Sequence, residues 1–244
     1  MSNIFVPSGT IIILLTELKY VRTDMSNIID TEKLDEKSTK ALTNKLIAKP
    51  RGRPLAFNQE EALESALQVF WSRGYEGASM AELADALGVN KPSIYATFGN
   101  KEALFRKALA QYLAGPVAYA AEAMNEPTAY KVVEKFLTRS AALLSNPDNP
   151  RGCMIVQGAL TCGQGSTMIQ QELIGYRKSY ENLLSQRFEL AKTQGDLPTQ
   201  VNSKNLAKYI AMIHQGLSVQ ATSGASKDEL MTVIDMALKN WPTI

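Results

Sequence analysis

The side chains best suited to chemistry in this sequence are hydrogen-bond donors clustered between residues 91 and 101. They alternate with Ile94 and Phe98, which at helical spacing would face inward and leave the donors exposed. Lysine, serine, threonine and asparagine side chains on a short helix can donate to phosphate oxygens and base edges. The segment therefore predicts contacts with DNA. The expected contacts are Lys91, Ser93, Tyr95, Thr97, Asn100 and Lys101, together with Ser79 and Met80 at the start of the preceding helix.

Two short helices joined by a sharp turn would hold these donors in place. Ser79 followed by Glu82 has the pattern of a capping box that opens the first helix. Gly88 stands where the turn requires a positive φ. Gly88 lies four positions after Ala84, and Ile94 lies ten positions after Ala84. This is the spacing of a helix-turn-helix. A generic helical hairpin is the alternative, but it would not explain the exposed donors.

The densest basic cluster precedes the helical region. It contains Arg51-Gly52-Arg53-Pro54, which matches the extended Arg-Gly-Arg core that lies in a narrow A·T minor groove. One copy of a four-residue motif leaves two interpretations open: minor-groove insertion, or a basic arm that touches phosphates without sequence preference. In both, Arg51 and Arg53 are predicted DNA contacts.

Residues for catalysis or metal binding are not grouped in the sequence. His214 is the only histidine, and no carboxylates or thiols cluster at ligand spacing. We expect it to be a hydrogen-bonded histidine at an interface or pocket wall. No nucleophile–base set, phosphate loop or carboxylate pair stands out, so the sequence predicts no enzyme, no metal site and no cofactor, with a helical enzyme as the weakest alternative.

The two cysteines, Cys153 and Cys162, fall nine residues apart on one predicted helix. At a rise of 1.5 Å per residue they lie about 13 Å apart along the axis, too far for a disulfide. Reduced thiols and a cytoplasmic location are therefore expected. The cysteines are interpreted either as small apolar core residues or as a redox sensor, and a sensor would need a lowered thiol pKa, for which only Arg151 is a candidate cause.

Composition and periodicity together predict an all-α protein. The chain has 244 residues, 45% hydrophobic and 20% charged, with a net charge of only +2, so a basic footprint must be local. Helical spacing of apolar residues continues from residue 58 almost to the end, and no strand pattern of useful length occurs. The predicted helices are one ending at Gly74, then 79–88, 92–98, 101–113, 130–144, 153–162, 167–194, 202–223 and 227–241.

Three segments are expected from this pattern. Residues 1–57 form a disordered or basic N-terminal arm, in which 1–24 precede a possible start at Met25. A membrane anchor in 1–24 is the alternative, but its apolar run of five residues is far short of a spanning helix. Residues 58–103 form a three-helix helix-turn-helix domain that binds DNA, and residues 104–244 form a larger helical domain.

Residues 57–113 resemble the TetR family of one-component transcriptional regulators, most closely across 87–104. The motif Tyr-x-x-Phe-x-x-Lys-x-x-Leu, here Tyr95, Phe98, Lys101 and Leu104, carries the resemblance. It implies a homodimer with an N-terminal DNA-binding domain and a C-terminal domain for ligand binding and dimerisation. By resemblance, Tyr95 and Lys101 would hold phosphates. The residues facing bases would be Lys91, Ser93 and Thr97.

The resemblance also implies an effector site in the C-terminal helices, and the apolar and small-residue faces of the last two helices predict that these helices form the dimer. Aromatic, methionine and few polar side chains suit a small, largely apolar or aromatic effector, although the same residue types also form ordinary core. We expect Ala207, Ala211 and Ala221 to face the partner subunit. The candidate effector-binding residues are Phe136, Met154, Gln157, Tyr176, Tyr180, Met212 and His214.

The function expected from these features is sequence-specific regulation of transcription. The favoured form is a repressor that a small molecule releases from its double-stranded DNA operator. The alternative is an architectural DNA-binding protein without an effector, which would leave the roughly 130 residues of the second half unexplained.

Overall fold

The structure, a computed structural model, describes residues 58–161 and 166–243 of the chain. The predicted arm with Arg51 and Arg53, the start at Met25, and Cys162 lie outside the described residues. Every regular element within those residues is helical, which confirms the all-α prediction. The helices are α1 Gln59–Gly77, α2 Met80–Leu87, α3 Lys91–Phe98, α4 Lys101–Ala114, α5 Tyr119–Ala123, α6 Ala129–Leu144, α7 Met154–Thr161, α8 Thr167–Thr193, α9 Ser203–Thr222 and α10 Lys227–Lys239.

The first helix begins where its local sequence dictates and kinks at a glycine. The side-chain oxygen of Asn58 accepts hydrogen bonds from the backbone N–H groups of Glu60 and Glu61, which otherwise have no partner at a helix start. The regular part of α1 ends at Gly74, where φ is 70°. The predicted stop at Gly74 is therefore a kink, after which the helix continues to Gly77.

Aromatic contacts between α1 and α4 make the platform on which α2 and α3 rest. Phe70 meets Phe105 edge to face with ring centroids 5.1 Å apart, and Trp71 meets Tyr112 at 4.8 Å. All four side chains are buried, and such pairs each contribute about 0.5–1.5 kcal/mol beyond the area that they bury. The two helices therefore behave as one packed unit.

Helix α7 lies between α1 and α8 and also contacts α9. Met154 and Val156 are buried. A Cβ atom added at Gly158 would lie 2.8 Å from Cδ1 of Leu173, so the missing side chain lets α7 and α8 approach closely. Helix α7 therefore packs against neighbouring helices on more than one side.

Two buried hydrogen bonds join the N-terminal helices to the start of α7. The indole N–H of Trp71 donates to the carbonyl oxygen of Gly152 over 2.8 Å. The backbone N–H of Met154 donates to the Tyr112 hydroxyl over 3.4 Å. Satisfied polar groups in a dry core fix one relative position of the elements that carry them.

Two details of the helix pattern differ from prediction. Helix α5 has only five residues, too few to produce a periodic signal. In α8, the helical spacing of apolar residues over 167–194 predicts that Leu190 faces inward, but its side chain is 50% exposed, whereas Phe188 and Ala191 are buried. Leu190 follows Phe188 by two residues, or about 200° around the helix, and therefore points away from the core.

Candidate nucleic-acid interface

Helix α2 and the turn after it have the geometry that the sequence predicts. The Ser79 hydroxyl oxygen accepts from the backbone N–H of Glu82 over 3.1 Å, and Gly88 adopts φ 65° at the end of the helix. The N–H of Val89 then donates to the carbonyl of Ala84 over 3.1 Å, which closes the turn. This left-handed glycine ending turns the chain sharply towards α3.

Only half of the predicted capping box at Ser79 forms. The Glu82 carboxylate does not return to the backbone of Ser79; it accepts instead from Nε of Arg73, 3.1 Å away on α1. A charged guanidinium is a stronger donor than a backbone N–H, and the sequence pattern could not show that one stands nearby. The prediction of a reciprocal box is wrong here, although the cap itself is present.

Helix α3 presents a polar face to solvent because its large apolar residues are buried in the core. Ile94 and Phe98 are buried, whereas Lys91 is exposed and Tyr95 is 49% exposed. Thr97 is half-buried between these two surfaces. Lys91 and Tyr95 stand four residues apart, so they lie on one face of the helix.

The start of α3 is fixed by Asn90. Its side-chain oxygen accepts from both the backbone N–H and the hydroxyl of Ser93, over 2.9 and 2.8 Å. Ser93 therefore uses its hydroxyl hydrogen within the protein. It can accept a hydrogen bond from a base, but to donate one it must first leave Asn90.

Asn100 and Lys101, two of the predicted DNA contacts, stand side by side at the start of α4. The Asn100 side-chain oxygen accepts from the backbone N–H of Ala103 over 2.8 Å, which leaves its amide N–H groups available. The Lys101 ammonium lies 4.5 Å from the centre of the Tyr75 ring. Partial burial lowers the pKa of Lys101, and the nearby Glu76 carboxylate opposes that shift.

Tyr75 is a site residue that the sequence analysis missed. It follows Gly74 at the end of α1, and its ring also packs against Phe105 at 5.2 Å. An aromatic face beneath an ammonium group attracts the charge and restricts where the flexible side chain can lie. The only available signal was an aromatic residue beside a helix-ending glycine.

Ser79 and Met80, also predicted as contacts, take different positions at the start of α2. Ser79 is exposed, and its oxygen already accepts from Glu82, so the hydroxyl hydrogen remains available to donate. Met80 is half-buried against the core.

Three of the predicted effector-binding side chains meet in one aromatic cluster. The ring of Phe136 lies 4.6 Å from that of Tyr180 and 5.0 Å from that of His214. Tyr119 joins at 6.2 Å from Phe136 and shares a hydrogen bond of 3.0 Å with the hydroxyl of Ser140. Burial away from water lowers the pKa of His214 to about 4.

The other predicted effector residues are spread over three places. Gln157 donates to the Ser218 carbonyl over 3.4 Å, Met154 lies in the core, and Tyr176 lies beside Glu172. Met212 is 65% exposed. Its side chain points away from the packed helices, so the prediction that Met212 lines an internal effector site is wrong.

The environment of Cys153 contradicts the redox-sensor interpretation for this residue. The thiol is buried, and burial raises its pKa, although hydrogen bonds partly offset the effect. The reactive species is the thiolate, which this site disfavours. Cys153 acts as a small apolar core residue, while its backbone N–H donates to the Ser218 hydroxyl over 2.9 Å.

Neither a metal site nor a membrane-spanning helix is found among the described residues. No three acidic, histidine or cysteine side chains there are grouped so that they could hold an ion. No helix in that part of the chain is long and apolar enough to cross a bilayer.

Comparison with known proteins gives consistent relatives. Residues 62–108 match the family described as "Bacterial regulatory proteins, tetR family". The chain is 32% identical over 201 residues to the HTH-type transcriptional repressor ComR of Escherichia coli K12, covering 81% of this chain and 95% of ComR. It is 27% identical over 188 residues to the repressor BdcR of the same organism, covering 76% of this chain and 90% of BdcR.

A solved structure adds a relative in complex with DNA. A cysteine mutant of the TetR family transcriptional regulator CifR, bound to 26-bp double-strand operator DNA, is 38% identical to this chain. The match covers 78% of this chain and 100% of that one, with a TM-score of 0.74. The similarity thus reaches well beyond the helix-turn-helix into the C-terminal helices.

Proposed function

Since this chain belongs to the TetR family of bacterial regulatory proteins, we propose that it represses transcription until a small molecule releases it from its operator. It is a DNA-binding transcriptional regulator with an N-terminal helix-turn-helix and a helical C-terminal domain, and its family is one of regulators rather than enzymes. The observation that carries the proposal is the polar face of α3, with Lys91 and Tyr95 exposed above the buried Ile94 and Phe98. Because its partner is chromosomal DNA, we infer a cytoplasmic site of action.

The exposed side chains divide into two classes of DNA contact. Lys91, on the outer face of α3, is suited to a base edge in the major groove, and Ser93 and Thr97 to acceptor or apolar contacts beside it. Tyr95 and Lys101 flank that surface and are suited to phosphates. The proposed footprint is completed by Ser79, Met80 and Asn100, with Arg51 and Arg53 of the arm as additional contacts.

We propose that two copies pair through α9 and α10. These helices expose Tyr209, Met212, Val219, Val233 and Met236, an unusual concentration of large apolar side chains on the surface of a soluble helical protein. At the centre of the α9 part, a Cβ added at Gly216 would meet nothing within 4 Å, which leaves room for a close helix crossing. Two-fold pairing of this face would match a palindromic operator.

The small-residue stripe of α9, which the sequence predicts to face the partner, lies elsewhere. Ala207, Ala211 and Ala221 are buried in the subunit's own core. Small residues on α9 thus serve its packing within one chain, and the longer residues named above remain for the second copy.

The cluster around Phe136 is the proposed effector site. Phe136, Tyr180 and His214 offer aromatic surface, and His214 is neutral near pH 7 because its pKa is about 4. A neutral imidazole can donate and accept one hydrogen bond each without adding charge, so the site suits a small, largely apolar or aromatic molecule. Met154, Gln157 and Tyr176 are proposed as neighbours of the site.

The experiment that tests DNA binding uses a duplex that the wild-type protein enriches from a random-sequence library. Lys101→Ala should weaken binding to all duplexes alike and reduce the slope of log affinity against log salt by about 1 per site. Lys91→Ala should relax the preference at one base position of each half-site, by about 1–3 kcal/mol. The reverse assignment of the two effects would contradict the proposed orientation of α3, and failure to enrich any duplex would contradict the function.

A further inference from the structure

Two polar contacts tie the first turns of α8 to the DNA-binding helices. Nε of Arg106, on α4, lies 2.9 Å from a carboxylate oxygen of Glu172, on α8. Immediately before α8, the Ser166 hydroxyl donates to the carboxylate of Glu76 at the end of α1. Ser166 does not cap its own helix, so its hydroxyl serves this contact between elements.

The Arg106–Glu172 pair has the geometry of a directional ion pair rather than a chance surface contact. A second guanidinium nitrogen of Arg106 lies 2.6 Å from a carboxylate oxygen of Glu102, one turn earlier on α4. The guanidinium is therefore held between two carboxylates, and only 36% of its side chain and 27% of that of Glu172 are exposed. Partial burial disfavours the charge of Arg106, but the hydrogen bonds to Glu172 and Glu102 outweigh it, and its pKa is raised.

The pair occupies a position between the DNA contacts and the proposed effector cluster. On α4, Arg106 follows the proposed phosphate contact Lys101 by five residues. On α8, Glu172 precedes Tyr180 by eight residues, about 12 Å along the same helix at 1.5 Å per residue. A displacement of α8 at Tyr180 therefore reaches α4 directly through this contact.

We propose that Glu172 and Arg106 form an ionic latch by which α8 positions the DNA-binding helices for the operator. Neither residue belongs to the proposed DNA footprint, so both act as positioning residues. The latch rests on the proposed function, since it has a role only if α3 and α4 bind DNA. Breaking it lets α4 sample more orientations relative to α8, and operator binding must then restore the productive one.

The first test is the effect of Glu172→Gln on binding to the duplex enriched by the wild-type protein. Removal of a negative charge should, by long-range electrostatics alone, strengthen binding to a polyanion. Loss of the latch should instead weaken binding to the duplex by about 5-fold. This value is the low end of measured couplings between sites, and we choose it because the ion pair is partly exposed. The salt slope should stay unchanged because no phosphate contact is lost, which separates this variant from Lys101→Ala.

The matched control is Glu134→Gln. Glu134 pairs with Lys131 over 2.6 Å within α6, so this variant makes the same charge change in an ion pair that joins no two helices. We expect it to bind the duplex as tightly as the wild type or slightly more tightly, since only the long-range effect of the lost charge remains. Both variants should unfold at similar temperatures, which excludes general destabilisation as the cause of weaker binding.

The second test is a double-mutant cycle with Arg106→Gln. If the two side chains act as one contact, the double variant binds no more weakly than either single variant. Additive losses, about 25-fold in the double variant, or unchanged or tighter binding by Glu172→Gln, would overturn the latch while leaving DNA binding intact. If the wild-type protein enriches no duplex at all, the proposed function fails and the latch with it.

Discussion

The backbone at Gly152 offers a sharp test of how the N-terminal and C-terminal helices are joined. Gly152 adopts φ 86°, and an added Cβ would lie 2.6 Å from Cγ2 of Thr222 and 3.3 Å from the Ser218 carbonyl oxygen. Its own carbonyl oxygen accepts the indole N–H of Trp71. A side chain here would press on the Thr222 methyl group, so Thr222, α9 or the backbone of Gly152 would have to shift.

We expect Gly152→Ala to lower the free energy of unfolding by roughly 2–5 kcal/mol. A non-glycine residue with positive φ costs about 1–2 kcal/mol, and overpacking against Thr222 adds typically about 1–3 kcal/mol. Gly195→Ala is the matched control, because Gly195 has φ 72° but no atom within 4 Å of an added Cβ. Gly195→Ala should lower the free energy of unfolding only by the cost of placing alanine at a positive φ.

The two contributions can be separated by removing the methyl group that clashes. Thr222→Ser deletes Cγ2 but keeps the hydroxyl that donates to the Val219 carbonyl over 2.7 Å. In a Gly152→Ala background, Thr222→Ser should restore about 1 kcal/mol or more of the free energy of unfolding. The assay is urea unfolding followed by circular dichroism at one fixed protein concentration, because the proposed dimerisation would make apparent stability depend on concentration. A loss at Gly152 no larger than at Gly195 would refute the close-approach argument.

Three further results are expected. Lys101→Ala should lower the salt slope of DNA binding by about 1, while Lys91→Ala should change base preference, both read from titrations on the enriched duplex. Met212→Arg should give monomers with weak operator affinity, whereas Met168→Arg, at a methionine 72% exposed on α8, should remain dimeric by sedimentation; a dimeric Met212→Arg would exclude the proposed interface. Because the pKa of His214 is lowered from 6.5 to about 4, its neutral form contributes stability that is complete above pH 6.5 and is lost as pH falls towards 4, up to about 3 kcal/mol. Unfolding measured across that range should show this loss, and a His214→Gln variant with the same pH dependence would contradict it.

The parts of the site that could be predicted from sequence are those set by short-range contacts. Ser79, Asn90 and Asn100 each cap a helix by accepting from a backbone N–H three residues later. Gly88 ends α2 in the left-handed conformation. Such contacts depend on residue type at fixed spacing and on nothing distant, so a linear sequence carries them completely.

The contacts that the sequence could not reveal join residues far apart in the chain. Tyr75 beneath Lys101, and Glu172 beside Arg106, depend on how whole helices pack. The same limit explains the errors on α9. Apolar residues occur around most of that helix, so periodicity alone could not show that Ala211 faces the subunit's own core while Met212 faces outward.

A movement of α8 cannot remain local, because α8 is packed too closely against α7 to slide past it. The close contact between Gly158 and Leu173 requires α7 to move with α8, since close-packed interfaces rearrange between discrete states rather than deform continuously. Helix α7 begins at Met154, whose N–H is bonded to Tyr112 near the end of α4, and α8 itself holds α4 through Arg106. An effector that displaces α8 at Tyr180 would thus act on α4 at two points along its length and rotate it as a rigid rod. A difference in effector affinity of only about 1–3 kcal/mol between the two arrangements would suffice for control of DNA binding, and linkage requires operator DNA to weaken effector binding by the same factor.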